Sequence, residues 1–257
     1  MTRFAVFVMT LMLTPAVLVA PPALAMVGDA PAGDGAIARS VVTIVGSRGN
    51  FCSGALIAPD IVLTAAHCVQ PGADYKIVRY DAQRQPLLMS IRRVIIHPQF
   101  TMAAIAQNRA SADVALLQLA EPLDGEPTAP LGAPIEPIVA GRTYGVAGIG
   151  VTRRGDGKSG GVVRAATLVS TSQPGRLQIR LVDPATNNTR DGLGACTGDS
   201  GGPAYEDQNG RAVMIGVVSW STAPNNAVGC GGLTGVTPLS LYRDWIVTTA
   251  RGWGARM

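Results

Sequence analysis

The sequence has few aromatic and few charged residues. Aromatic side chains make up 5% and charged side chains 15% of the 257 residues. The basic residues are scattered, and only Arg92-Arg93 and Arg153-Arg154 are adjacent pairs. Nucleic-acid-binding proteins cluster basic side chains on one face and often add aromatic rings on which bases stack. Nucleic acid is therefore not an expected partner, and the net charge of +4 is assigned to solvated surface.

Side chains that bind metals are also scarce. The chain has two histidines, His67 and His97, and none of its four cysteines form a Cys-x-x-Cys pair. Structural zinc sites commonly take their ligands from such close pairs. We therefore expect no metal and no other cofactor.

Long helical patterns are absent until the last fifteen residues or so. Glycine (31 residues) and proline (18 residues) instead separate short apolar runs that are typical of β-strands. About five or six such runs lie on each side of a Pro/Gly-rich crossing at 121–137, which predicts two β-units of similar size. One helix is predicted, from Leu239 to about Ala250, with Leu241, Trp245 and Ile246 facing inward. The predicted strands are 41–45, 55–57, 61–64, 77–80, 87–96, 114–119, 143–149, 162–170, 177–182, 213–220 and 233–236.

The N-terminus has the pattern of a secretory signal peptide. Arg3 precedes an apolar run at 4–20, and the segment ends in Ala23-Leu24-Ala25. A membrane anchor is the alternative, but Thr10, Thr14 and Pro15 interrupt the run. No other stretch approaches the roughly 20 apolar residues that span a bilayer. We predict cleavage after Ala25 and a soluble mature protein, secreted outside the cell or into a periplasm.

In an exported chain, four cysteines predict two disulfides. Four cysteines allow three pairings. Their spacing favours two local bonds, Cys52–Cys68 and Cys196–Cys230, one in each half of the chain.

Ser200 is a candidate nucleophile because glycines surround it in Gly198-Asp199-Ser200-Gly201-Gly202-Pro203. A serine hydroxyl needs a neighbouring base, usually a histidine that a carboxylate orients. Flanking glycines let the backbone turn tightly, so that amide N–H groups can face a developing oxyanion. The spacing Gly198-x-Ser200-x-Gly202 also matches the nucleophile elbow of α/β hydrolases. Those enzymes place the histidine after the serine, whereas both histidines here precede Ser200.

Three stretches together resemble the signature blocks of the trypsin/chymotrypsin family of serine endopeptidases. They are Leu63-Thr64-Ala65-Ala66-His67-Cys68, Ala112-Asp113-Val114-Ala115-Leu116-Leu117 and Thr197-Gly198-Asp199-Ser200-Gly201-Gly202-Pro203. The resemblance covers about residues 26–250. It implies an all-β fold of two six-stranded antiparallel barrels with the active site between them and a C-terminal helix. The corresponding halves are 26–130, whose first residues pack on the second barrel, and 131–257.

The resemblance also implies roles for individual residues. His67 is general base and then general acid, Asp113 orients it, and Ser200 attacks the scissile carbonyl. The backbone N–H groups of Gly198 and Ser200 form the oxyanion hole. His97 resembles a loop histidine of the family and is not expected to be catalytic.

In this family, the aspartate before the nucleophile pairs with the α-ammonium group of the mature N-terminus. That residue is Asp199 here, and signal cleavage would expose Met26-Val27-Gly28-Asp29, which resembles the family's mature terminus. We predict that signal cleavage itself produces the active N-terminus. Met26 stands where a branched residue is usual.

The specificity pocket is expected to carry no charge. Gly194 occupies the position where trypsin-like enzymes have an aspartate, so a substrate lysine or arginine would be buried without a partner. Ser219-Trp220-Ser221 resembles the segment that binds the substrate backbone. The opposite wall aligns with either Thr234, which predicts a small pocket, or Gly235, which predicts room for larger apolar residues.

Together these features predict a secreted serine endopeptidase that prefers small or apolar residues before the cleaved bond. The expected partners are a protein or peptide substrate and a protein inhibitor, and the mature protein is expected to be a monomer off the membrane. One alternative is a catalytically silent binding protein on a protease scaffold, and another is an esterase, since acyl-enzyme chemistry accepts esters.

Overall fold

The structure is a computed structural model, which describes residues 26–80, 83, 85–107, 109–171 and 177–257. The predicted signal peptide, residues 1–25, lies outside the described residues. Within the described ranges, no helix combines the length and the apolar character needed to cross a membrane.

The first half of the chain forms a closed six-stranded antiparallel barrel with strand order β1-β2-β3-β6-β5-β4. Its inward positions are rich in Val, Ile and Leu, and every residue of β3 and of β6 is buried. The strands are β1 (Val41–Gly46), β2 (Phe51–Ala58), β3 (Ile61–Thr64), β4 (Tyr75–Tyr80), β5 (Pro86–Ile96) and β6 (Ala115–Leu119).

The second half forms another closed barrel, and its strand order β7-β8-β9-β12-β11-β10 repeats that of the first. The all-β prediction of two six-stranded barrels is confirmed. The strands are β7 (Thr143–Gly148), β8 (Arg164–Ser170), β9 (Ile179–Val182), β10 (Pro203–Gln208), β11 (Arg211–Ser221) and β12 (Thr234–Pro238). β10 was not among the predicted strands, because its sequence begins with proline and ends in acidic and amide residues. The prediction that the halves divide between residues 130 and 131 stays a prediction; those residues lie between β6 and β7.

The C-terminal helix differs in detail from the prediction. A 3₁₀ turn occupies Leu239–Leu241, and the α-helix covers Arg243–Gly252. Leu241 is 45% exposed, so its predicted inward orientation is wrong. The cause is local: Tyr242 has a non-helical backbone (φ −125°, ψ 0°), which separates the two segments and changes their phase. The inward face is formed by Ile246 and Ala250. In chain order the α-helices are α1 (Ala36–Arg39), α2 (Met102–Ile105) and this helix, α3.

The two chain ends pack across the molecule. Met26 and Ala30 are buried in the apolar cluster of the second barrel. Ile246 and Ala250 of α3 are buried in the cluster of the first barrel, although α3 follows the second. Each end therefore helps to hold one barrel against the other, and the loops between strands meet in a cleft.

Candidate active site

His67 and Asp113 are joined by two hydrogen bonds at the end of the first barrel. His67 lies in the 3₁₀ turn Ala66–Val69 that follows β3, and Asp113 lies just before β6. The backbone N–H of His67 donates to Asp113 Oδ1 at 2.9 Å, and Nδ1 lies 2.8 Å from Oδ2. With the Nδ1 proton directed at the carboxylate, Nε2 is left as the proton acceptor of the neutral ring.

The Asp113 carboxylate is fully buried and is satisfied by three donors. The third is the Ser219 hydroxyl at the end of β11, which donates to Oδ2 at 2.6 Å. A buried carboxylate is costly unless hydrogen bonds or charges compensate it. Here the donors fix both the carboxylate and, through it, the plane of the imidazole.

Ser200 and His67 line the same cleft, which has a volume of about 470 Å³. Ser200 is supplied by the second barrel, since it lies in the turn before β10, whereas His67 is supplied by the first. Among the described residues, the imidazole makes no direct hydrogen bond to the Ser200 hydroxyl, and Nε2 lies 3.8 Å from Cys68 Sγ. Catalytic hydrogen bonds are often long before substrate binds and shorten in the substrate complex.

The turn around Ser200 leaves two amides open. Within the described chain, the N–H groups of Gly198 and Ser200 have no hydrogen-bond partner. Gly198 and Ser200 both line the cleft. Gly201 is required for the turn: its φ is +85°, and a Cβ there would lie 2.1 Å from the Ser53 carbonyl oxygen. Two free amides beside a hydroxyl can stabilise an oxyanion.

Asp199 is completely buried behind this turn. Its Oδ1 accepts from the Gly150 N–H and its Oδ2 from the Cys196 N–H, each at 2.8 Å. Burial raises the pKa of Asp199 to about 7, and the two hydrogen bonds only partly oppose that effect. Among the residues that the structure describes, no charged group compensates this carboxyl group.

Met26 lies in the second barrel, but it forms no ion pair with Asp199. The residue is fully buried, and the next N–H, that of Val27, donates to the Gly194 carbonyl at 3.3 Å. In the uncleaved chain the Met26 nitrogen is part of a peptide bond and carries no charge. The segment thus lies beside Gly194.

Thr234 lies opposite Gly194 and contacts the segment that contains it. Its hydroxyl accepts from the Ala195 N–H at 3.0 Å, and a Cβ on Gly194 would lie 3.4 Å from Thr234 Oγ1. Gly235 lies instead under the indole of Trp220, where an added Cβ would be 2.2 Å from a ring atom.

The cleft therefore stops short of Gly194. Thr234 is fully buried and Gly194 is buried, and neither lines the open cleft. The cleft is bounded on this side by Trp220, Ser221 and Gly229.

The disulfides are Cys52–Cys68 and Cys196–Cys230, the pairs that the spacing favoured. Cys52, His67 and Cys68 place potential ligand atoms within 4.8 Å of one another. Both sulfurs are consumed by a disulfide, so they are not available as thiolate ligands for a metal.

His97 lies away from the cleft. Its ring packs edge-on against Tyr242 and Trp245, and its Nδ1 accepts from the Gln99 N–H at 3.2 Å. Burial lowers the pKa of His97. Such a ring is a neutral packing element, as expected for a histidine without a catalytic role.

Comparison with known proteins identifies the family. The family model described as Trypsin matches residues 26–246. The chain belongs to the trypsin family. It is 29% identical over 215 residues to snake venom serine protease rhinocerase 4 of Bitis rhinoceros, a match that covers 81% of each chain. It is also 29% identical over 215 residues to a trypsin of Phaedon cochleariae, covering 77% of this chain and 78% of that one.

Among solved structures, the fold resembles human heparin binding protein. The TM-score is 0.66 at 26% identity, and the match covers 86% of this chain and 96% of that chain. The two barrels of this trypsin-family chain thus also occur in a protein whose name describes binding.

Sequence analysis missed one polar residue beside the site. Ser53 in β2 is fully buried, and its hydroxyl donates to the Gly198 carbonyl. A serine in an otherwise apolar stretch, Phe51–Ala58, carries no recognisable signal of this role. Only the packing of β2 against the turn of the second barrel identifies it.

Proposed function

We propose that this trypsin-family protein is an exported serine endopeptidase with His67, Asp113 and Ser200 as its catalytic residues. The observation that carries the proposal is the shared cleft of His67 and Ser200, in which buried Asp113 orients the imidazole. Two disulfides are typical of exported chains. Cleavage after Ala25 is part of this proposal.

The reaction would proceed through an acyl-enzyme. His67 Nε2 takes the Ser200 proton as the hydroxyl oxygen attacks the scissile carbonyl, and Asp113 stabilises the resulting imidazolium. The N–H groups of Gly198 and Ser200 donate to the oxyanion, and loss of one such donor costs about 3 kcal/mol. His67 then protonates the leaving amine, and a water molecule, activated by the same ring, releases the acyl group.

The pocket favours small or apolar residues before the cleaved bond. Gly194 offers no charge to a substrate lysine or arginine, and desolvating such a cation without a partner is costly. Thr234 fills the space opposite Gly194 and hydrogen-bonds to Ala195, which supports a shallow pocket.

Activation would depend on a new charge at Met26. Cleavage after Ala25 converts its amide nitrogen into an ammonium group, and Asp199 is the buried carboxyl that needs one. Their ion pair would order the turn that contains Gly198 and Ser200. N-terminal sequencing of the secreted protein tests this, and a mature start at residue 27 or later contradicts it.

A binding protein without catalysis is the second candidate. The solved relative named heparin binding protein has the same fold, so the fold alone does not decide activity. The free amides and the Asp113–His67 pair favour catalysis, because binding without catalysis requires neither an oxyanion hole nor an oriented base.

Mature protein beginning at Met26 should be incubated with a fluorophosphonate probe and, separately, with an unbiased peptide mixture. We expect one labelled serine, and cleavage after small or apolar residues. Ser200→Ala should abolish both, whereas Ser221→Ala, which changes another serine of the same cleft, should still be labelled. Absence of labelling in the wild type supports the binding protein. Hydrolysis of esters without peptides indicates an esterase, and cleavage dominated by arginine or lysine refutes the proposed pocket.

A further inference from the structure

We infer that the hydroxyl of Ser53 is a positioning group that holds the Gly198 side of the oxyanion hole in place. The inference rests on the proposed function, because an oxyanion hole matters only if Ser200 attacks a carbonyl. It concerns a residue of the first barrel acting on a turn of the second.

Ser53 contacts both residues that supply the amides. Its hydroxyl donates to the Gly198 carbonyl at 2.8 Å, and its own N–H donates to the Ser200 carbonyl at 2.8 Å. The hydroxyl oxygen also accepts from the Ile149 N–H at 3.0 Å. The side chain is fully buried, so water does not compete for these bonds.

These contacts constrain Gly198, the part of the turn whose backbone has the most conformational freedom. Gly198 has a φ of +97°, and glycine samples a wide range of backbone angles. The Gly198 carbonyl belongs to the peptide group that follows the residue, so its hydrogen bond acts on the Gly198 N–H indirectly, by restricting the backbone rotation of Gly198 between the two groups. Oxyanion donors work because they are already aimed before the charge develops.

Ser53 is itself held rigidly. It pairs with Thr43 in β1, and its carbonyl accepts from the Thr64 hydroxyl at 2.8 Å. The turn is therefore fixed against the closed sheet of the first barrel. A defect at this contact would disturb transition-state stabilisation more than substrate binding.

The experiment compares Ser53→Ala with wild type, using mature protein and a peptide substrate that the wild type cleaves. We expect kcat to fall about tenfold, because two buried hydrogen bonds are lost and the Gly198 carbonyl and the Ile149 N–H are left unpaired, with KM within about twofold. Affinity for a peptide aldehyde, whose adduct places an oxyanion in the hole, should fall by a similar factor. Labelling by the fluorophosphonate should slow but still reach completion.

Ser170→Ala is the matched control. Ser170 is buried in β8, and its hydroxyl donates to the carbonyls of Val139 and Arg142 without lining the cleft. It should lower the melting temperature and leave kcat unchanged. If Ser53→Ala does not fold, Ser53→Gly removes the same hydroxyl and is measured instead.

Unchanged kcat and aldehyde affinity in a folded Ser53 variant would overturn the inference while leaving the proposed function intact. A wild-type protein that neither cleaves nor is labelled would overturn both. A rise in KM with kcat preserved would also contradict the inference, because that result would assign Ser53 a role in substrate binding.

Discussion

The two barrels have the same strand order but contribute to the cleft in different ways. The first barrel supplies His67 and Asp113, and two hydrogen bonds between them are formed within that barrel. The second barrel supplies Ser200 on a glycine-rich turn whose carbonyls are held by Ser53 of the first barrel. Behind the turn lies Asp199, a buried carboxyl without a compensating charge.

The difference indicates that the proposed base is oriented mainly within its own barrel, apart from the Ser219 hydroxyl, whereas the proposed nucleophile and its amides depend on distant chain segments. The proposed control of activity would then act on the Ser200 turn of the second barrel, and it would come from the N-terminal segment and from β2 of the first barrel. Loss of the Asp113–His67 pair would remove the base, but should leave the turn around Ser200 unchanged.

The largest effect is expected for Asp113→Asn, which tests whether the first barrel supplies the base. An asparagine keeps the shape but cannot hold the Nδ1 proton of His67 as a carboxylate does, so kcat should fall about 10⁴-fold. Peptide hydrolysis near neutral pH measures this. A loss below tenfold would show that the pair is not part of the catalytic machinery.

A smaller effect, on the free energy of unfolding, is expected from Asp199, and it depends on pH. In a chain extended before Met26, the folded pKa of about 7 lies above the unfolded value of 3.8. The folded state therefore binds the proton more tightly. The contribution of Asp199 to the free energy of unfolding should be greatest below about pH 4. It should fall as pH rises to about 7, by up to about 1.4 kcal/mol per pH unit.

Urea unfolding in a Ser200→Ala background measures this, since self-cleavage is then removed. Asp199→Asn in the same extended chain should lack that part of the pH dependence. Protein that begins at Met26 should lack it as well, because the ammonium group lowers the pKa of the carboxyl. Identical pH profiles for the extended and mature chains would exclude the ion pair.

Ser219→Ala should reduce kcat roughly tenfold, because it removes one donor to the buried carboxylate of Asp113 while two remain. The hydroxyl comes from the second barrel, so the variant tests how far the base depends on that barrel. Ser170→Ala, which removes a buried hydroxyl of the second barrel that does not line the cleft, is the control. Equal kcat in the wild type, in Ser219→Ala and in the control would show that the first barrel orients Asp113 without help from the second.

An effect of similar size, on specificity instead of kcat, is expected at the pocket. Thr234→Gly should raise kcat/KM for a phenylalanine substrate relative to an alanine substrate by about tenfold, since a side chain opposite Gly194 is removed. Thr234→Ser keeps a hydroxyl for the Ala195 N–H and removes only a methyl group, so it should change the ratio less. An unchanged ratio in both variants would remove Thr234 from the pocket wall.

Much of the fold and of the candidate site could be predicted from local pattern. Short Val- and Ile-rich runs between turn residues indicate strands, because strand burial and turn chemistry act over a few residues. The blocks around His67, Asp113 and Ser200 are likewise local. β10 was not predicted, because its own composition does not indicate a strand. Its pairing with β7 and β11 makes it one.

The sequence by itself determined the two-barrel class, the family blocks around His67, Asp113 and Ser200, and the absence of a charge at Gly194. Tertiary structure alone decided that Thr234, and not Gly235, lies against the Gly194–Ala195 segment. It also decided that a serine in β2 holds the turn around Ser200. The physical reason is that these contacts join residues far apart in the chain, and their strength depends on burial and distances of about 3 Å.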